Sequence, residues 1–267
     1  MAGLDLDPIA LHDHNVARLG GTGVVIAGYP GSGAALIGNI LLEAGIGYLD
    51  PYTEVIADGH AVAAAQRVDY RSRLAASHRA DRAGGHRVAD TTTFVKTHLR
   101  PESFSAGHEG VLLLVRDPRD AVHSYYRWRL GFSESGERGS FAEFLRRKSR
   151  GGAVPALDWA GFNAAWAEPA QHVVRFEDLK RDPVTTMRAV LDRFGVRCPA
   201  QRLADAVRAS TFEAMRSHED AVAGGSGARI MRSGRVDEWR DWWSPELAES
   251  FRAEPVRRVA ARHGYEI

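Results

Sequence analysis

The segment that most constrains this chain lies between Val24 and Gly45. Residues 24–27 form a short, continuous apolar run, as expected of a strand buried on both faces of a parallel sheet. The run ends in Gly28-Tyr29-Pro30-Gly31-Ser32-Gly33, after which residues 34–44 have helical composition and Gly45 supplies the stop. A strand that turns through glycines directly into a helix is half of a strand–helix–strand unit, whose return strand runs parallel to the first. Residues 93–99 alternate as a strand, residues 111–115 form a second buried run, and residues 172–175 supply another strand. Asp117-Pro118 gives an N-cap and a first-turn proline to a helix reaching about Leu130. Residues 141–150 and 158–168 are amphipathic helices, and Asp182-Pro183 opens another that reaches Phe194. Residues 199–209, 211–217 and 245–262 complete the helices. Residues 1–20 read as an irregular arm or short helix, 53–87 as one or two surface helices, and 219–237 as a mobile loop. Alternating strands and helices predict an α/β fold, a parallel sheet flanked by helices on both faces, in a single domain over residues 1–267.

Charge and cysteine content narrow the partners. Lys+Arg 35 against Asp+Glu 34 leaves a formal net charge of +1, so no global field draws the chain to nucleic acid or a membrane surface. A single cysteine, Cys198, excludes a disulfide framework and a multi-cysteine metal site. The longest apolar runs are too short to cross a bilayer. Asp5 and Asp7 precede any apolar stretch, unlike a secretory signal. The expectation is a cytoplasmic protein of one domain; oligomeric state leaves no mark in the sequence. Only three of the basic residues are lysines: Lys96, Lys148 and Lys180.

Three motifs carry chemistry. Gly28 to Ala35 has the two-glycine spacing of a Walker A loop, which wraps an anion in backbone N–H groups and aims a helix N-terminus at it. A nucleotide triphosphatase needs a lysine at 34 and a hydroxyl at 35 to hold magnesium, and both positions are alanine. The pattern therefore favours a P-loop-like parallel sheet whose loop binds an anion without metal; a tight turn with no ligand is the other reading. In the second motif a strand delivers Arg116 to the carboxyl edge of the sheet, and the next helix places Ser124 on the face of Asp117 and Asp120. An Arg–Asp surface cluster is the alternative there. In the third, Phe94, Lys96 and His98 share one strand face. An imidazole beside an ammonium suits a general base kept neutral, and a surface histidine beside a solvated lysine is the alternative.

Together these motifs resemble the sulfotransferases that use 3′-phosphoadenosine-5′-phosphosulfate (PAPS). Tyr29-Pro30-Gly31-Ser32-Gly33 looks like the family's 5′-phosphosulfate loop, which continues through Ala34 and Ala35. Arg116 and Ser124 look like its 3′-phosphate clamp, and Lys96-Thr97-His98-Leu99 is similar to the stretch carrying the catalytic base. Phe176-Glu177-Asp178-Leu179 resembles the segment whose aromatic lies by the adenine. Thr211-Phe212 with Met215 resembles a second adenine contact, at Phe212. Met231-Arg232-Ser233-Gly234 followed by Trp239 looks like the loop that folds over the 3′-phosphate. The resemblance spans residues 24–243 in order.

That resemblance implies His98 as general base, Lys96 as stabiliser of the leaving oxygen, PAPS as donor with its 3′,5′-diphosphate (PAP) as product, and no metal. The family loop usually carries lysine, two threonines and tryptophan at the positions of Gly31, Ala34, Ala35 and Leu36, and lysine at that of Ser233. An inactive PAPS-binding protein of the same fold and a P-loop small-molecule kinase are the other readings. For the acceptor pocket, the candidates are residues 53–87, residues 125–128, and the row Trp159, Phe162 and Trp166, whose spacing equally suits a core stripe.

Overall fold

Val24 and Ile26 point to one face of the sheet, and Val25 and Ala27 to the other, into two separate cores. The computed structural model describes residues 8–19, 22–52, 54–57, 60–63, 86–87, 94–104, 107–131, 138–149, 151–223 and 232–267. In chain order the elements are α1 (Pro8–Val16), β1 (Thr22–Gly28), α2 (Ala34–Glu43), β2 (Tyr48–Leu49), β3 (Glu54–Ala57), β4 (His60–Ala63), β5 (His86–Arg87) and β6 (Phe94–Thr97). There follow β7 (His108–Val115), α3 (Pro118–Gly131), α4 (Phe141–Arg146), α5 (Pro155–Ala167), β8 (His172–Arg175) and α6 (Phe176–Arg181). The chain continues through α7 (Pro183–Arg193), α8 (Ala200–Ala209), α9 (Phe212–Ala223), α10 (Pro245–Glu249) and α11 (Glu254–Arg262).

The main sheet has five strands in the order β2-β6-β1-β7-β8, and all its ladders are parallel. Leaving β1, the chain builds β2 and β6 on one side and then crosses to β7 on the other. The carboxyl end of β1 therefore sits at a topological switch point, where open α/β sheets bind ligands. Register brings the three strand ends together, Ala27 pairing with Thr97 and Gly28 with Leu114.

Both faces are covered. On one, Trp159 and Trp166 of α5 pack with Phe251 and with Val256 of α11 over Val25, Val111 and Leu113. On the other, Ile37 and Leu41 of α2, Met187 and Leu191 of α7 and Leu203 of α8 cover Ile26, Leu112 and Leu114. The alternation of Val111 to Val115 between the two clusters is why that run reads as continuously apolar. Among the described residues no helix is long and apolar enough to cross a membrane.

Several sequence expectations are corrected. Within residues 53–87 the described parts are strands: β3, β4 and β5 form a small antiparallel sheet, with His60 paired to Arg87. Alanine and histidine content suggested helices, but a hairpin ladder outweighs such weak propensities. The helix expected over residues 245–262 is two helices, because Pro255 lacks the N–H that a continuing helix needs and instead sits in the first turn of α11. The segment 141–150 is helical only to Arg146, its start closed by a capping box of Ser140 and Glu143. Helix α9 runs on to Ala223, so the first part of the loop expected at 219–237 is helical, and residues 224–231 lie outside the described residues.

Trp159 is fully buried at the centre of its cluster. Trp159→Ala is expected to lower unfolding free energy by about 3–5 kcal/mol, read from urea denaturation followed by far-UV circular dichroism. A loss below about 1 kcal/mol would place this ring outside the core that supports the sheet.

Candidate functional site

The glycine loop is held between two elements. Gly31 and Gly33 have φ of 89° and 94°, a backbone region that only glycine adopts cheaply. A Cβ at Gly31 would stand 2.3 Å from the Ala121 carbonyl oxygen of α3, and one at Gly33 2.4 Å from the Phe176 ring. The Ser32 N–H donates to the Tyr29 carbonyl at 3.0 Å, closing the turn, while the buried Tyr29 hydroxyl donates to the Pro155 carbonyl at 3.3 Å. No side chain caps α2, so its first N–H groups are directed at the loop without a side-chain acceptor.

A cavity of about 490 Å³ opens over this loop. Its walls include Pro30, Gly31, Gly33, Ala34 and Ala35 from the loop and the start of α2, Lys96 and His98 from the end of β6, and Arg116 and Ser124 from the β7–α3 unit. Phe176, Phe212, Arg232, Ser233 and Gly234 close the far side. The structure thus brings together most of the residues singled out in the sequence. Ser32 is buried behind the loop rather than lining the cavity. Thr211 is exposed and also off the cavity wall; its hydroxyl accepts the Ala214 N–H at 3.2 Å and caps α9. Met231 lies outside the described residues.

At the end of β6 the two titratable groups are held differently. The Lys96 ammonium is buried, 2.8 Å from Asp50 Oδ2 and 5.5 Å from the centre of the Tyr52 ring. His98 follows the last strand residue and its Nδ1 lies 2.5 Å from the Gly28 carbonyl oxygen. A carbonyl only accepts, so Nδ1 carries the proton and the lone pair of the neutral ring is on Nε2. The His98 backbone N–H donates to the Tyr52 hydroxyl at 2.8 Å, and burial raises that hydroxyl's pKa well above the usual tyrosine value. Burial thus favours the neutral hydroxyl, whose oxygen accepts this bond.

The Arg–Asp motif is a buried network, not a surface cluster. Arg116 donates to the Gly31 carbonyl at 3.0 Å and to the Arg235 carbonyl at 3.1 Å, with its guanidinium 4.5 Å over the Phe176 ring. Asp117 holds Arg119 in two hydrogen bonds, of 2.9 and 2.6 Å, and Arg119 lies 3.7 Å over Trp239. Asp120 accepts the Trp239 N–H at 2.7 Å. Burial pushes the Asp120 carboxyl up to about 6 against the pull of Arg116. Glu238 binds Arg232 through both carboxylate oxygens and accepts the Ser233 hydroxyl at 2.7 Å. Burial resists its ionisation, but the bonds from Arg232 and Ser233 prevail and hold it down at about 2.

Sequence reasoning missed Asp50, Tyr52 and Glu238, although Asp50 and Tyr52 follow the two-residue strand β2 and all three line the cavity. Asp50 is 46 residues from Lys96, and no spacing rule reaches that far. Of the acceptor-pocket candidates, Tyr125 and Trp128 line the cavity, stacked with ring centres 6.1 Å apart, as does Phe162. Trp159 and Trp166 are core, as their spacing also allowed.

Ser32 Oγ and Arg116 Nε are buried without a hydrogen-bond partner beside a loop whose glycines leave no room for side chains. Oriented N–H groups and a guanidinium on the cavity wall fit a phosphorylated ligand. Among the described residues no group of three or more His, Cys, Asp or Glu could hold a metal ion.

The family model described as the sulfotransferase domain matches residues 22–254. Sulfotransferase 2A1 of Mus musculus is 26% identical over 176 residues, a match covering 60% of this chain and 60% of that protein. The chain thus spans about three fifths of that relative's length. Among solved structures, mouse sulfotransferase SULT7A1 complexed with PAP superposes with a TM-score of 0.60 at 16% identity, covering 94% of this chain and 93% of that one. Retinol dehydratase in complex with androsterone and inactive cofactor PAP superposes at 0.59 and 18% identity, covering 92% and 82%. At these identities the likeness is one of fold.

Two outcomes follow from this geometry. Gly31→Lys, which restores the family's usual residue, is expected to destabilise the protein by about 1–3 kcal/mol through its positive φ and the clash with Ala121, and not to strengthen ligand binding. Thermal melts with and without ligand measure both effects. The depressed Glu238 carboxyl contributes stability that is complete above pH 4.5 and is lost as pH falls toward 2. The stability gap between wild type and Glu238→Gln in urea melts is therefore expected to shrink between pH 7 and pH 3.

Proposed function

The chain belongs to the sulfotransferase domain family, and from that premise we propose that it transfers a sulfuryl group from PAPS to the hydroxyl of a small molecule. The observation that carries the proposal is that His98 lines the cavity above the glycine loop with its Nδ1 on the Gly28 carbonyl, which supports Nε2 as the atom that takes a proton. Gly31, Gly33 and the N–H groups of Ala34 and Ala35 would hold the 5′-phosphosulfate. Arg116, Ser124 and Arg232 would hold the 3′-phosphate, and Phe176 and Phe212 would flank the adenine. The donor supplies an activated sulfur whose leaving group is the nucleoside diphosphate.

The work of this chain's residues is then positioning and charge control, by analogy with phosphoryl transfer. His98 Nε2 takes the acceptor hydroxyl's proton as that oxygen attacks, and the Gly28 carbonyl steadies the imidazolium formed. Lys96, held by Asp50, meets the negative charge developing on the departing oxygen. With the ammonium already paired, the lysine is pre-set in direction at the expense of part of its field. The acceptor end combines Tyr125, Trp128 and Phe162 with the Arg100–Asp158 ion pair, at 3.1 Å. Aromatic walls with a few polar groups suit a small hydroxylated compound; the androsterone bound by retinol dehydratase is one of that kind.

His98→Ala is expected to reduce turnover with a panel of phenols and alcohols by roughly 10²–10⁴-fold while leaving PAP binding intact. Bound PAP should raise stability by about 2.7 kcal/mol at a hundredfold excess over its dissociation constant. Unchanged turnover in the variant would remove His98 from the base role. Stabilisation of the wild type by Mg-ATP and not by PAP would replace the donor assignment with a kinase reading.

A further inference from the structure

Three arginines around the proposed 3′-phosphate end of the cavity each have a carboxylate partner. Arg116 Nη2 is 3.5 Å from Asp120 Oδ2, Arg119 is held by Asp117, and Arg232 is held by Glu238. Together these six side chains bring no net charge to a phosphate dianion; further cations on the cavity wall include Arg127 and Lys180. Asp117 and Asp120 also have fixed structural tasks, accepting the backbone N–H groups of Arg119 and Trp239 at 2.9 and 2.7 Å. Glu238 differs from them. The hydrogen bonds that its carboxylate accepts come from the side chains of Arg232 and Ser233, the two positions that align with the donor's 3′-phosphate loop, and it lines the cavity itself. A carboxylate bridging a guanidinium and a hydroxyl offers the same pair of acceptor oxygens as one edge of a phosphate.

We propose that Glu238 is a determinant of donor selectivity: its carboxylate occupies the anion site formed by Arg232 and Ser233, and a donor's 3′-phosphate enters by displacing it. The inference rests on the PAPS reading above and adds a residue that opposes the ligand. Displacement exchanges one charge-assisted pair for another, leaves the Glu238 carboxylate to be rehydrated, and sets it beside a dianion of like charge. Nucleotides without a 3′-phosphate leave the Arg232–Glu238 pair intact. Glu238 thus narrows the preference for adenosine nucleotides with a 3′-phosphate over those without one. A lysine at position 233 would have supplied a second cation there; Ser233 instead gives its hydroxyl to Glu238.

The test is calorimetric titration of the full chain with PAP and, separately, with adenosine 5′-monophosphate. Glu238→Gln keeps the side chain's size and removes its charge. It is expected to bind PAP about tenfold more tightly than wild type, with affinity for the monophosphate unchanged. Glu238→Asp, one methylene too short to bridge both partners, is expected to shift PAP affinity in the same direction and serves if the amide variant does not fold. PAP affinity that is unchanged or weaker in the variants, or an equal gain for both nucleotides, overturns the proposal and makes Glu238 a plain support for Arg232. Failure of the wild type to bind PAP at all is a different result, because it removes the donor reading on which the proposal stands.

Discussion

The site depends on how closely the glycine loop approaches the elements around it. A side chain at Gly31 would collide with the backbone of α3, and one at Gly33 with the ring of Phe176. Because both positions are bare, the loop's amides, the first turn of α2 and the start of α3 meet within one small volume. Arg116 then reaches the Gly31 carbonyl, and His98 reaches the Gly28 carbonyl from the neighbouring strand. Two charged or titratable side chains are thereby aimed by main-chain oxygens, which cannot change rotamer or protonation state. The same closeness explains why the family's lysine has no place at Gly31. The loop lies close on α3 there, and the cation nearest the loop on the neighbouring strand end is Lys96, paired with Asp50.

Electrostatic pairing is the second organising feature. The chain's overall +1 hides a dense local arrangement in which arginines and carboxylates alternate around one end of the cavity. Buried charges are tolerated because each finds a partner and further hydrogen bonds. Arg119 also lies on Trp239, and Arg116 on Phe176, so the guanidinium planes are fixed by aromatic faces as well as by carboxylates. These contacts tie residues 235–241 to α3 through Arg116, Arg119 and Asp120. A segment remote in sequence thereby becomes one wall of the site. Partnering also limits what each group can do, since every donor given to a carboxylate is one fewer turned to the cavity.

Much of the fold was legible. The apolar runs at 24–27 and 111–115, the glycine turn and the Asp-Pro helix starts identify the central strands and the helices that follow them. They do so because burial on both faces and capping are local requirements written in neighbouring residues. The failures have equally physical causes. At residues 54–57 and 60–63 helical composition was overridden by hairpin pairing, and ahead of Pro255, which has no N–H to continue a helix, a helix that looked continuous is broken. At the site, most of the named residues attached to a strand end or a glycine turn line the cavity, because topology gathers such ends at a switch point, although Ser32 is buried behind the loop. Thr211 was not one of them; its hydroxyl is engaged in capping α9.

The sequence alone determined which side chains could serve the chemistry: a loop without magnesium ligands, an imidazole beside a lysine, and arginines at the edge of the sheet. It did so because those choices depend on residue type and on spacings of a few residues. The tertiary structure decided their states. It set the tautomer of His98 through Gly28, paired Lys96 with Asp50 across 46 residues, and gave Arg232 and Ser233 to Glu238. Hydrogen-bond and charge partners act over a few ångströms in space, and only the folded chain brings residues so distant along the backbone within that reach.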